Sequence, residues 1–158
     1  SLGDYPPNQQ MSAFRKLGRF NLPLWISEIT IPGTGENGSE MQATIVTNLY
    51  KLWFSTPSMA GITWWNLADG TAYKDENKAL GGLLDKDMNP KPAYKALDSL
   101  INHKWKTSLT LTTDTNGKSD FRGFYGKYSI SVVVDGRERE FPMEIKNSDK
   151  LSKVVLVL

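Results

Sequence analysis

LPLWISEITIPG, Leu22 to Gly33, is apolar enough for the interior of a sheet yet carries one carboxylate, Glu28, near its middle. The run Leu22–Thr30 reads as a short strand, and its surroundings decide what kind. Upstream, Met11, Phe14 and Leu17 recur at helical spacing, and Gly18 is placed to stop that helix. Downstream, Ser39 and Gln42 have capping-box spacing ahead of a second helix, whose apolar face is Val46, Leu49, Tyr50 and Trp53. MAGITWWNLA, from Met59 to Ala68, reads as another buried strand. Pro92 suits the first turn of a third helix, with Ala93, Ala96, Leu97, Leu100 and Ile101 on its apolar face. Helix, strand, helix, strand, helix implies parallel strands with right-handed crossovers.

Two parallel strands and three helices cannot cover a parallel sheet on both faces, although strands this apolar require it. The expected architecture is therefore α/β plus all-β: the C-terminal fragment of a TIM barrel, its last two β/α units, followed by a small β-sandwich domain. Barrel enzymes place their chemistry at the carboxyl ends of the strands. Glu28 lies near the end of the first strand, and Asn66 to Asp69 near the end of the second.

Composition excludes several classes of function. The chain has 158 residues, 19 basic and 17 acidic, for a net charge of +2. That balance gives no reason to invoke nucleic acid or an anionic membrane. Cysteine is absent, which removes disulfides, thiol catalysis and thiolate metal sites and leaves the redox compartment open. No apolar run reaches the roughly 18 residues of a membrane helix. The start of the chain lacks the regions of a signal peptide, so the expectation is a mature chain or a piece of a longer one.

A composition shift at Trp105 sets the expected boundary, with 1–105 as the barrel portion and 106–158 as the β-sandwich. All five tryptophans lie at or before it. Beyond it come short alternating segments with turn signals at DTNGKS and VDGRE. Tyr128, Ile130, Val132 and Val134 share one strand face, and Asp135-Gly136 suits a tight hairpin. Pro142 demotes its strand to an edge or a bulge. KVVLVL, from Lys153 to Leu158, reads as a strand covered on both faces.

Three segments, LPLWISEITIPG, GITWWNLADGTAY and GGLLDKDMNPKPAYKAL, in this order and spacing resemble the C-terminal part of family 10 glycoside hydrolases, the xylanase family. The resemblance covers roughly Pro6 to Lys106. It implies that Ser27-Glu28 matches the Thr-Glu pair ending the seventh strand, whose glutamate is the nucleophile. Trp65-Asn66 and Asp69 match the Trp-Gly pair and aspartate of the eighth strand, and Asn89 to Tyr94 match the segment before the last helix. Ser27 stands for the usual threonine, Asn66 for a glycine, and Tyr73 for a second tryptophan over the sugar. The family's acid/base glutamate and helper histidine belong to earlier strands than this chain contains.

The resemblance thus implies a C-terminal fragment of a retaining endo-β-1,4-xylanase-like hydrolase acting on plant cell-wall polysaccharide. Glu28 would be its nucleophile, and Trp65, Tyr73, Asp69 and Asn66 its substrate contacts. Retaining hydrolysis needs a second carboxyl about 5–5.5 Å away to protonate the leaving oxygen, so the fragment is expected to be inactive alone. No cofactor or metal is implied. The implied partners are a β-linked, xylan-like polysaccharide and either the earlier part of the barrel or a second copy, with no nucleic acid or membrane. The implied location is secreted, cell-surface or periplasmic.

Several residues keep a second reading. Trp64 and Trp65, adjacent on a strand, face opposite sides; either Trp65 meets sugar, or both are core. Asp69 orients site residues or caps a loop. Asp85 to Asn89, DKDMN, is too short for an EF-hand loop and reads as a solvated turn. His103 has no second histidine or cysteine with which to share a metal and reads as a helix-end residue. The tail resembles the immunoglobulin-like or prealbumin-like modules of secreted polysaccharide enzymes. Phe121, Phe124, Tyr125 and Tyr128 form a sugar platform there, or fill its core or its interface with the barrel portion. The alternatives for the whole chain are a non-catalytic carbohydrate-binding protein and a structural spacer.

Overall fold

The computed structural model describes residues 6–146 and 154–157, and the chain divides into two units, Ser1–Asn102 and His103–Leu158. The first unit opens with α1, Pro7–Gly18, which has proline in its first turn and Arg15 and Lys16 in its last. Both placements suit a helix, since the missing N–H falls among unbonded donors and the basic groups face the negative end of the dipole. Gly18 is the last helical residue, so the helix stops where expected. The chain turns at Asn21, φ 54°, a residue type that tolerates the left-handed region.

Strand β1 is Leu24–Ile29, α2 is Gly38–Phe54, β2 is Met59–Trp64 and α3 is Pro92–Asp98. β1 and β2 pair in parallel, as the element order predicts. Val46, Leu49, Tyr50 and Trp53 are all buried on α2, and Ala93, Leu97 and Leu100 on α3 and just beyond it. The two helices pack against each other. Trp53 Nε1 donates to Gln10 Oε1 at 3.0 Å, tying α1 to the same core. Tyr50 lies in that core, and burial raises its phenol pKa.

Two local expectations give way to tertiary packing. Asn37, in the left-handed conformation, precedes α2 as its cap, and Ser39 lies inside the first turn. Gln42 does not reach back to close a capping box. It is wholly buried, and its Nε2 donates to the Ile31 carbonyl at 2.7 Å. Burial against the loop after β1 outweighs a local cap. At the other end of the unit, Ile101 is exposed because α3 gives way to a π-helical segment, Ser99–Lys104. The wider turn rotates later residues off the stripe that a 3.6-residue period projects; His103 falls in this segment.

The second unit contains one hairpin among the described residues: β3, Gly126–Val134, and β4, Arg137–Ile145, paired antiparallel. Asp135 and Gly136, φ 49° and 74°, form the two-residue connection that matches the twist of the flanking strands. Pro142 pairs with Ser129 without a bulge. Counted from the turn, that pair is a non-hydrogen-bonded one, so the missing N–H costs the ladder nothing. Among the described residues this unit shows one two-stranded sheet and no second sheet packed on it. Residues 154–157 of KVVLVL have no regular structure, and Val155 and Val157 are exposed; β3 and β4 pair with each other and not with this segment. Lys153 and Leu158 lie outside the described residues. The DTNGKS turn forms, with Asp114 Oδ1 accepting from the Asn116 and Lys118 N–H groups at 2.9 and 2.8 Å.

Candidate active site

The carboxyl ends of β1 and β2 finish level with each other. Ile29 pairs with Trp64, the Trp65 N–H donates to the Ile29 carbonyl at 3.0 Å, and Asn66 Nδ2 donates to Thr30 Oγ1 at 3.4 Å. Glu28 and Trp65 therefore flank one cross-strand pair. Glu28 is exposed, and it sits where the pleat is broken. Ile26 pairs with Ile62 and Ile29 with Trp64, so Ser27 and Glu28 together oppose Thr63. An extra residue of this kind turns side chains away from the regular alternation and recurs next to active sites.

The two tryptophans take different roles. Trp64 is half-buried, with Nε1 shared between the Asn66 carbonyl at 2.8 Å and the Gly81 carbonyl at 3.2 Å. Trp65 is 52% exposed, and its Nε1 donates to Glu76 Oε2 at 3.1 Å. Trp25 is also exposed and lies across Gly61, where a β-carbon would collide with its ring. Tyr73 is exposed, with the Lys74 ammonium 4.7 Å from its ring centre.

Asn66 and Asp69 lie lower. Asn66 is 6% exposed and braces the strand ends through Thr30. Asp69 accepts from Lys91 Nζ at 2.9 and 3.2 Å and from the Gly82 N–H at 2.8 Å. Lys91 Nζ also donates to the Leu80 carbonyl at 2.8 Å. This ion pair is nearly buried, with side chains 8% and 12% exposed. Gly33 fits against it because a β-carbon there would stand 2.8 Å from the Leu80 oxygen. Gln42 completes the group, its Oε1 lacking a hydrogen-bond partner among the described residues. The cluster joins the loop after β1, the loop after β2 and the start of α3, so it holds both strand ends in place.

Of the expected residues, the structure brings Glu28 and Trp65 to one exposed edge and sets Tyr73 on the neighbouring loop. Asn66 and Asp69 are beneath them as braces. Lys91, Gln42 and Glu76 are additional members of the site's support. A polar residue on the buried stripe of α2 was the available sign for Gln42. Lys91 stood between two prolines in the Asn89 to Tyr94 segment, while nothing in the sequence marked Glu76. DKDMN forms a turn in which Asp85 Oδ1 accepts from the Asp87 and Asn89 N–H groups at 2.8 and 2.9 Å. Those bonds, chiefly the ones from Asn89, hold the Asp85 carboxyl below its usual range. Among the described residues, no group of three or more His, Cys, Asp or Glu side chains is placed to hold a metal. A cavity lined by Met11, Phe14, Leu22, Pro23, Pro57 and Met59 lies at the opposite, amino ends of the strands. Barrel enzymes do not place their chemistry at that end.

A family model described as glycosyl hydrolase family 10 matches residues 2–100. The anti-sigma-I factor RsgI6 of Acetivibrio thermocellus is 33% identical over 122 residues, 77% of this chain and 15% of that protein. Endo-1,4-beta-xylanase 2 of Arabidopsis thaliana is 25% identical over 127 residues, 78% of this chain and 11% of that protein. The chain thus spans less than a sixth of the length of either relative. Among solved structures, a bacterial Ig-like domain containing GH10 xylanase from termite gut superposes with a TM-score of 0.52 at 16% identity, over 63% of this chain and 27% of that one. At that identity the likeness speaks for the fold.

Proposed function

Because the chain belongs to glycosyl hydrolase family 10, we propose that Glu28 is the nucleophile of a retaining β-glycanase acting on xylan-like, β-1,4-linked plant cell-wall polysaccharide. The supporting observation is an exposed carboxylate at the bulged carboxyl end of β1, one cross-strand pair away from the exposed ring of Trp65. In a retaining mechanism that carboxylate attacks the anomeric carbon while a second carboxylic acid protonates the leaving oxygen; water then releases the sugar with the second group acting as base. Trp65 and Tyr73 offer ring faces to the C–H faces of pyranose units, and Asn66, Asp69 and Lys91 keep the strand ends in register. Nothing in this chemistry calls for a cofactor. General acid catalysis contributes roughly 10²–10⁴-fold, so the 158 residues by themselves, carrying the nucleophile alone, should be inert. With a polymeric substrate, we propose that the protein acts outside the cytoplasm, secreted or at the cell surface or periplasm. Residues 106–158 would be an accessory β module of the immunoglobulin-like or prealbumin-like kind, of which the β3–β4 hairpin is the supporting part.

The test is incubation of this chain with xylan and with an aryl β-xyloside, which should give no turnover above background. Hydrolysis that disappears in Glu28→Gln would show that a second acid is supplied within these residues or by another copy. In a parent protein that hydrolyses xylan, a 2-deoxy-2-fluoro-xylosyl label should attach at Glu28, and attachment elsewhere would remove the assignment.

A second reading is a non-catalytic carbohydrate-binding protein, and the observation favouring it is the 33% identity to a protein named as an anti-sigma factor. Xylohexaose binding that Trp65→Ala weakens and Glu28→Gln leaves intact, in a parent without hydrolytic activity, would select it.

A further inference from the structure

We propose that Glu76 is a positioning residue for Trp65, fixing which way the indole face is presented to a bound sugar. This rests on reading Trp65 as sugar-facing. The Trp65 ring stands just past the end of β2 with half its surface exposed, and exposure alone leaves a side chain free to sample rotamers. Its Nε1–H, however, donates to Glu76 Oε2 at 3.1 Å across eleven residues of chain.

The acceptor is itself on a fixed support. Glu76 lies in the 3-10 turn Lys74–Ala79, and its N–H donates to the Tyr73 carbonyl at 3.1 Å. Ala72 and Asn77 exchange two bonds: the Ala72 N–H donates to Asn77 Oδ1 at 2.9 Å and Asn77 Nδ2 to the Ala72 carbonyl at 2.7 Å. The Gly33 N–H then donates to the Ala79 carbonyl at 2.9 Å, joining this turn to the loop after β1. The ring orientation is thereby referred to the strand that carries Glu28.

Stacking a pyranose on an indole requires a ring held face-on, and a side chain ordered before the ligand arrives loses less freedom when it binds. Glu76 makes no other contact that this role requires. A hydrogen-bond acceptor is needed at its position, and a negative charge is not.

The experiment uses the whole 158-residue chain, with indole ¹⁵N–¹H spectra and titration by xylohexaose. Glu76→Ala should shift the Trp65 Nε1–H resonance and weaken xylohexaose binding by roughly 2- to 10-fold, the range expected for one immobilised side chain. Glu76→Gln keeps an acceptor oxygen and should restore both the resonance and the affinity. If Trp65→Ala weakens binding while Glu76→Ala does not, the positioning role is overturned and the sugar-facing reading stands. If Trp65→Ala has no effect, or the unaltered chain does not bind, the sugar-facing reading falls and takes the proposal with it. Equal impairment of Glu76→Ala and Glu76→Gln, with the indole resonance unmoved, would also overturn it.

Discussion

At the scale of single residues, the site sorts into groups that face outward and groups that hold them up. Glu28, Trp65 and Tyr73 are exposed, and their replacement should leave folding almost untouched. Lys91 belongs to the other kind. It gives its ammonium hydrogens to Asp69 and the Leu80 carbonyl with almost no solvent contact. Removing one partner leaves an uncompensated buried charge. Lys91→Ala should therefore cost about 3–5 kcal/mol, read from chemical denaturation, and a loss below 1 kcal/mol would mean that water reaches the pair. Asp85 sets a pH dependence. Its carboxyl is held below the ordinary carboxylate range by bonds from Asn89 and Asp87 that require the ionised form, so the folded state binds its proton less readily than the unfolded chain does. The contribution is complete at neutral pH and fades as pH falls from about 4 through the lowered value. Asp85→Ala should flatten the melting temperature against pH in that acid window and leave the slope above pH 6 unchanged.

At the scale of elements, the α2–α3 contact carries the first unit. Leu97 is buried in it, and Leu97→Ala should lose about 2–5 kcal/mol by removing methyl groups from a packed interface. Calorimetry would check this, with a drop smaller than that of an exposed control such as Leu80→Ala counting against the contact. Helical spacing in the sequence revealed this interface well, because Val46, Leu49, Tyr50 and Trp53 lie on one stripe and form one buried face. Parallel pairing was legible for the same reason, since a helix between two apolar runs leaves little else. What could not be read depended on residues far apart. Gln42 satisfies local cap spacing but is taken by Ile31, eleven residues back. The Ile101 position follows from a π-helical widening that a 3.6-residue period does not encode. Glu28 was visible as an anomaly in an apolar run, whereas its bulge was not, because register depends on both strands. The acidic and lysine braces, Asp69 with Lys91, are 22 residues apart and meet only when both loops fold back. KVVLVL had strand composition, yet among the described residues no strand pairs with Val154 to Val157, and composition does not supply a partner.

At the scale of the whole molecule, the two units differ in how much they bury. The first has a helical core, while in the second the segment 106–125 is irregular and mostly exposed ahead of the one hairpin among the described residues. Exposed backbone without a ladder is where proteases cut. Limited proteolysis should therefore cleave first between Lys106 and Tyr125 and leave a fragment ending near that point. Primary cleavage inside α2 or α3 would show that the first unit is the weaker one. The exposed ring of Trp25 sits on a two-stranded parallel sheet, a form found almost always covered, with Phe20 and Leu22 also exposed in the segment just before β1.

The broken pleat at Ser27 and Glu28 bears on how this architecture can change. Ile26 pairs with Ile62 on one side of the irregularity and Ile29 with Trp64 on the other, three residues of β1 against two of β2, so the register shifts by one across it and Glu28 has no ladder partner of its own. Glu28 is in that sense written between the lines of the fold. Its side chain can be exchanged, re-aimed or lost without moving the frame that the neighbouring isoleucines set. A scaffold with this property can exchange the residue at that one position without re-pairing its strands.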